Sequence, residues 1–362
     1  MSKNEFKKIE VRRKIWFVGP LPPPLNGQSA YNKKILERIS VHRGLVVLQT
    51  GGTQLGKVWR ALYTPWIVLF GASRSDVAYL SPPGQMGLWL FLPTVLAFRA
   101  KKITQFIHHH SYRSINLAPM ASHCALAAVG GVFSRHVLLS EKMLEEYSKN
   151  YLSMEQKSRA LVVPNAFLFT SETSQIPARQ GPIKIGHISV MTKEKGVDYI
   201  LKLIDLVMPS SDFQFVFAGP IEQSELFDMV QSSIKKYPGG VHWLGPVSGN
   251  EKEQFYDAID ILLLPSRLID EADPLVILEA YSAGVAVMAS DVGCISERII
   301  SKSYLLKMDC VADAESIKRK ADELKKERQK SASRFQAHAR WLFSSSKKQG
   351  EDLLRSILDG GS

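Results

Sequence analysis

ILLLPSRLIDEADPLVILEAYSAGVAVMASDVGCISE, residues 261–297, opens on an all-apolar run, Ile261 to Leu264, that predicts a buried strand. A polar loop from Ser266 to Ala272 follows, and Asp273-Pro274 predicts the start of a helix. Asp273 suits the N-cap, where its carboxylate can accept free backbone N–H groups, and Pro274 suits the next position, which needs no donor. Gly284 ends the helix and Val285 to Met288 predict the next strand. Two acids stand out, Glu271 in the loop and Glu279 in the helix, roughly 7–8 Å along the axis from its amino end. That end carries free N–H groups and a partial positive charge, which suits a phosphate or diphosphate. One loop carboxylate and one helix carboxylate therefore flank an anion site at the carboxyl edge of a strand, where α/β sheets bind nucleotides. Spacing alone equally allows Glu279 to face solvent.

Glu271, seven residues, then Glu279, followed by Ala280, Gly284 and the strand from Val285, resembles the E-x7-E signature of the retaining glycosyltransferases of family 4. Leu264-Pro265-Ser266 before it and Ser290-Asp291-Val292-Gly293 after it are similar to that family's surroundings. The resemblance implies an α/β protein of the GT-B fold, with two Rossmann-like doubly wound domains facing each other across a cleft. It also implies that Glu279 holds the ribose hydroxyls of a nucleotide-diphosphate sugar and Glu271 the hydroxyls of the donor sugar. Asp273, Pro274 and Leu275 would then lie beside the donor at the helix start, although the family often has Phe-Gly where this chain has Asp273-Pro274.

The chain has 362 residues, enough for two domains with separate cores, and its 45% hydrophobic and 22% charged content is that of a globular protein. Three cysteines, Cys124, Cys294 and Cys310, show no paired or metal-like spacing. The amino terminus, MSKNEFKKIEVRRK, lacks the apolar core of a signal peptide, so a cytoplasmic protein is expected. The net charge of +11 gathers between Lys3 and Lys14 and between Lys318 and Lys348. No aromatic-basic RNA motif, zinc finger or helix-turn-helix pattern accompanies it, so nucleic acid is not an expected partner. An anionic membrane surface is a better candidate. Ala61 to Ser73 and Gly87 to Phe98 are apolar and aromatic, interrupted by Pro65 and Pro93, and short of the roughly 18 residues needed to span a bilayer. Such segments dock on a bilayer or form core helices; on docking, the protein would sit peripherally on the inner face of the cell membrane.

In the first half, Lys14 to Gly19 predicts a strand, then a Pro-rich loop with Gly27, then a helix from near Ser29. Gly27 lets the backbone approach a phosphate, and the family has a Gly-containing loop in this place. Further strands are predicted at Leu45 to Gln49, Val77 to Leu80, Lys102 to Ile107, Val137 to Ser140 and Leu161 to Pro164. His108, His109 and His110 follow the fourth; alternation puts His108 and His110 on one face and His109 on the other, so one metal does not easily take all three. The family has a histidine here on the acceptor side of the cleft, and any of the three could position or deprotonate an acceptor hydroxyl, a histidine's pKa lying near working pH. The expected domains are residues 1–170 for acceptor, a linker at 171–182, 183–340 for nucleotide sugar, and 341–362 as a helix returning to the first domain.

In the second half, strand Ile183 to Ile188 is followed by Lys195-Gly196, a landmark of the family in which Lys195 resembles the diphosphate-binding lysine. Ser189-Val190 stands where the family often has Gly-Arg, and Lys193 is the candidate second cation. Strand Phe213 to Phe217 runs into Gly219, a close-approach turn beside the donor, and His242 to Leu244 with Gly245-Pro246 forms an edge where the family places its nucleotide base. Ala314 to Glu327, Arg334 to Phe343 and Glu351 to Leu358 predict three closing helices. The chain contains no Asp-x-Asp triplet of the kind that holds a divalent metal, so no metal or cofactor is expected. Lys195, Lys193 and the helix from Pro274 are expected to meet the charge of the leaving diphosphate. Together with the basic and aromatic surface, the resemblance implies transfer of one sugar to a glycan or lipid-linked acceptor in bacterial surface polysaccharide (lipopolysaccharide, capsule or exopolysaccharide) synthesis. A sugar-nucleotide epimerase of the same fold and a non-catalytic basic membrane-surface protein stay open as alternatives.

Overall fold

The structure, a computed structural model, describes residues 13–23, 27–41, 44–84, 86–168, 175–209 and 212–360. Most of the basic amino terminus, the Pro-rich loop at 24–26 and residues 169–174 lie outside the described residues. The first sheet holds β1 (Ile15–Gly19), β2 (Leu45–Gln49), β3 (Val77–Leu80), β4 (Thr104–His108), β5 (Ser134–Leu138) and β6 (Leu161–Val162). The second holds β7 (Ile183–Ile188), β8 (Phe213–Ala218), β9 (Val241–Trp243), β10 (Ile261–Leu264), β11 (Ala286–Ser290) and β12 (Leu305–Leu306). Both are parallel, in the orders β2-β1-β3-β4-β5-β6 and β12-β11-β10-β7-β8-β9. Apolar runs such as IWFV in β1 and ILLL in β10 are buried along their whole length, as parallel strands covered by helices on both faces require. In each sheet the chain works outward to one edge and returns to work outward to the other. The crevices where the order reverses lie between β1 and β3 and between β7 and β10.

Two features differ from expectation. The expected pair of closing helices is one helix, Arg328–Asp359, of 32 residues. The polar run Ser344 to Gly350 has no apolar period to mark it as helical, yet Gly350 is buried because the helix lies against Phe167 there. Phe335 and Leu342 of this helix join the core of the second sheet, while Leu353 and Ile357 complete that of the first with Tyr31, Phe106 and Phe167. A Cβ at position 350 would come within 2.1 Å of the Phe167 ring. Gly350→Ala gains about 1 kcal/mol in helix propensity but overpacks this contact at about 1–3 kcal/mol. We expect a net loss of stability in urea denaturation, and a stabilised variant would show that helix and ring are not in contact.

Pro65 and Pro93 do not end their segments, which form continuous helices, Gln54–Gly71 and Met86–Ala100. A proline costs one hydrogen bond and kinks a helix, and packing offsets that here. Val68, Phe91, Val95 and Phe98 pack with Trp16 and Leu80 on one face of the first sheet.

Candidate active site

The reversal point of the second sheet places the loop after β7 beside the loop after β10. Gly196 makes this fit possible: its φ is +81°, and a Cβ on it would stand 2.1 Å from the Pro265 carbonyl oxygen. Its neighbour Lys195 thereby reaches Glu271, with Nζ 2.7 Å from Oε2, and the Ser266 hydroxyl donates to the same oxygen at 2.8 Å. Ser266 is itself fixed, its carbonyl accepting from the Ser290 hydroxyl at 2.6 Å. Glu271 is buried, whereas the Lys195 side chain keeps some exposure. Gly219 closes the neighbouring edge, since at φ +121° a Cβ would overlap the Ser189 carbonyl oxygen at 1.7 Å. Its carbonyl accepts from Trp243 Nε1–H at 2.9 Å.

Glu279 does not point idly at solvent. Its carboxylate takes the Lys252 ammonium at 2.6 Å and the Tyr256 hydroxyl at 2.9 Å. Both belong to helix Gly249–Ala258, which sequence reading missed because its polar composition leaves only Phe255 and Tyr256 buried. From the first half, Lys34 of helix Gly27–Ile39 feels the same carboxylate: burial lowers its pKa and Glu279 partly restores it. Glu279 therefore lies where the two halves face each other.

Asp273 corrects an expectation. The helix is Leu275–Ser282, its N-cap is Pro274, and no side chain caps it. The Asp273 side chain instead pairs with Arg298, Oδ1 lying 2.9 Å from Nε, and accepts the Asn165 backbone N–H at 3.0 Å. Asn165 Nδ2 donates back to the Asp273 carbonyl at 2.8 Å, and Arg298 also donates to the Leu139 carbonyl at 2.8 Å. The Arg298 guanidinium and a backbone donor from the first half outcompete the helix amides, so Asp273 joins the halves instead of capping the helix. Pro274 and Leu275 remain half-buried at the helix start while Ile277 and Leu278 are buried.

Lys193 is the second correction, because it pairs at the surface with Glu225 at 2.7 Å and does not converge on Glu271. Arg267, unread in sequence, sits between, donating to the Lys193 carbonyl and to Asp198. Asp270 was missed as well. It accepts from the Ser111 hydroxyl at 2.8 Å and pairs with Arg113 at 3.2 Å across the cleft.

Asp270, His110 and Ser111 form one end of a cavity of about 630 Å³ at the reversal point of the first sheet. Gln28 lines it too, held by Ser81 at 2.9 Å, while the backbone at Gly27 borders open space. The histidines split as alternation requires. His108 and His110 stack with ring centroids 4.3 Å apart, and His108 is buried with Nδ1 2.6 Å from the Tyr79 hydroxyl. His109 is buried on the other face, stacked on His136 with Nε2 2.9 Å from its Nδ1. His110 lines the large cavity, and a smaller recess is lined by all three histidines. A pKa near working pH does not hold: burial pushes His110 down to about 3 and His108 and His109 well below the ordinary value. All three are neutral at pH 7, fit to position a hydroxyl and weak as bases. Among the described residues no group of three His, Cys, Asp or Glu side chains is placed to hold a metal ion.

Two Rossmann-like α/β halves with a site at their facing reversal points define the GT-B class of architecture. Residues 169–341 match the model of the family described as Glycosyl transferases group 1, and this domain makes the chain a transferase. No curated protein matches it in sequence. Solved structures match at the level of fold. HepE of Anabaena, in complex with UDP, is 15% identical with a TM-score of 0.68, over 95% of this chain and 100% of that one. WaaG, a glycosyltransferase involved in lipopolysaccharide biosynthesis, is 14% identical with a TM-score of 0.64, over 96% of this chain and 100% of its own. Sucrose-phosphate synthase of Thermosynechococcus elongatus is 14% identical with a TM-score of 0.69, over the same shares, 96% and 100%.

Proposed function

We propose that the protein is a retaining glycosyltransferase that moves a sugar from a nucleoside-diphosphate sugar to a hydroxyl of a glycan or lipid-linked acceptor in surface polysaccharide synthesis. The observation that carries this is the meeting of Lys195, Glu271 and the start of helix Leu275–Ser282 at one reversal point, facing a cavity at the other. Lys195 and the helix start meet the negative charge that grows on the departing diphosphate, Glu271 orients the donor sugar, and Glu279 holds the ribose hydroxyls. His110, neutral, positions the acceptor hydroxyl. Its oxygen bonds to the anomeric carbon as the bond to the diphosphate breaks, and its proton leaves with the diphosphate oxygen on the same face. Fixed cations on the protein supply the electrostatics. The UDP bound by HepE makes uracil the first base to try.

The test is thermal stabilisation by nucleoside diphosphates and their sugars, with and without EDTA. A ligand at about a hundredfold excess over its dissociation constant adds roughly 2.7 kcal/mol to the folded state. We expect a shift with one base that survives EDTA and disappears in Glu279→Ala. A shift retained in that variant removes the ribose role, and no shift with any base favours the non-catalytic alternative.

A further inference from the structure

Helices Gln54–Gly71 and Met86–Ala100 pack together over the first sheet, yet their outer sides have no cover. Trp59, Leu62, Trp66 and Phe70, spaced three and four apart, form one helical stripe that is 57–83% exposed. Trp89 and Leu96 of the neighbouring helix are exposed as well. An isolated exposed apolar residue is ordinary, but a contiguous aromatic stripe on two adjoining helices marks an interaction surface.

Charge selects the occupant. From Gln54 to Lys102 the one acidic residue is Asp76, which is buried, against Lys57, Arg60, Arg74, Arg99, Lys101 and Lys102. Tryptophan at the rim of an apolar face with cations around it is the composition that settles in the headgroup region of an anionic bilayer. No helix among the described residues is long and apolar enough to cross a membrane. We propose that this two-helix face docks the protein flat on an anionic phospholipid surface. The face is continuous with the acceptor cavity, because Met86 and Leu90 are both exposed on the helix and part of the cavity wall, where Lys57 and Arg60 also stand. Docking therefore brings the cavity mouth to the membrane. Given the transfer reading above, the acceptor is a membrane-anchored molecule whose anionic group meets those two cations.

The experiment is co-sedimentation of the full chain with phosphatidylcholine vesicles with and without phosphatidylglycerol, alongside Trp66→Glu/Phe70→Glu. We expect partition onto the anionic vesicles, weakened about tenfold or more in the double variant. Both substituted side chains are exposed, and an unchanged melting temperature confirms that the variant folds. Equal binding by parent and variant, or none to anionic vesicles, overturns the proposal. So does a dimer in light scattering that the variant abolishes, since the face would then be covered by a second copy. Donor stabilisation is read separately: vesicle binding without any nucleotide shift removes the transferase reading and leaves the surface standing.

Discussion

Lowering the pH from 7 to 5 is expected to destabilise the protein strongly. Burial pushes His110 and His136 down to about 3 and His123 and His187 to about 4, and holds His108 and His109 well below the ordinary value. Described hydrogen-bond partners of these rings are hydroxyls, a carbonyl and one another, with no carboxylate to hold a proton. The folded pKa lies below the unfolded one, so the unfolded chain binds more protons between the two values. The stability is complete above about pH 6.5 and drains away as pH falls toward 4. Each such ring contributes about 1.4 kcal/mol per pH unit, and three acting together remove about 4 kcal/mol per unit. Against a total stability of about 5–15 kcal/mol, that rate needs roughly one to four units. Circular dichroism and urea titrations from pH 7.5 to 4.5 check this, and a midpoint independent of pH across that range would mean that the rings are protonated in the fold.

The second large effect concerns Asp273→Ala. The Asp273 side chain is fully buried and that of Arg298 is 7% exposed, so the substitution leaves a buried guanidinium with no carboxylate. Removing one partner of a buried pair costs about 3–5 kcal/mol, whereas replacing both with apolar residues of similar volume is far less damaging. Asp273→Leu/Arg298→Met is therefore expected to be more stable in urea than Asp273→Ala alone. The reverse order, or a single variant as stable as the parent, would show that the pair is absent in solution. Asn165 and Leu139 bond to this pair from the first half, so the substitution also loosens the contact between the halves, and donor binding is expected to fall with stability.

Legibility in the sequence followed range. Strand β10 is a continuous apolar run, readable because burial on both faces leaves no alternation to confuse, and β8 shows its phenylalanines at alternate positions. Lys195 and Glu271 were found through a pattern of residues in order. Asp273 was misread because capping preference is local, while its partners lie 25 and 108 residues away. Lys252, Asp270 and Arg298 carried no signal of their own, since a charged residue beside a polar loop reads as surface. The histidines were correctly placed on alternate faces, but their titration depends first on burial and then on neighbouring rings such as His136, which only the fold brings near.

The helix Arg328–Asp359 governs how this protein can be made. Phe17 and Tyr31 leave the ribosome long before Leu353 and Ile357, yet the core that encloses them needs those two residues. At about 5–20 residues per second, the first sheet waits on the order of tens of seconds for its last two core residues, while the second sheet can close around Phe335 and Leu342 sooner. Nascent chains stalled before Leu353 should therefore expose a protease-sensitive first half, the interval in which a chaperone has something to hold.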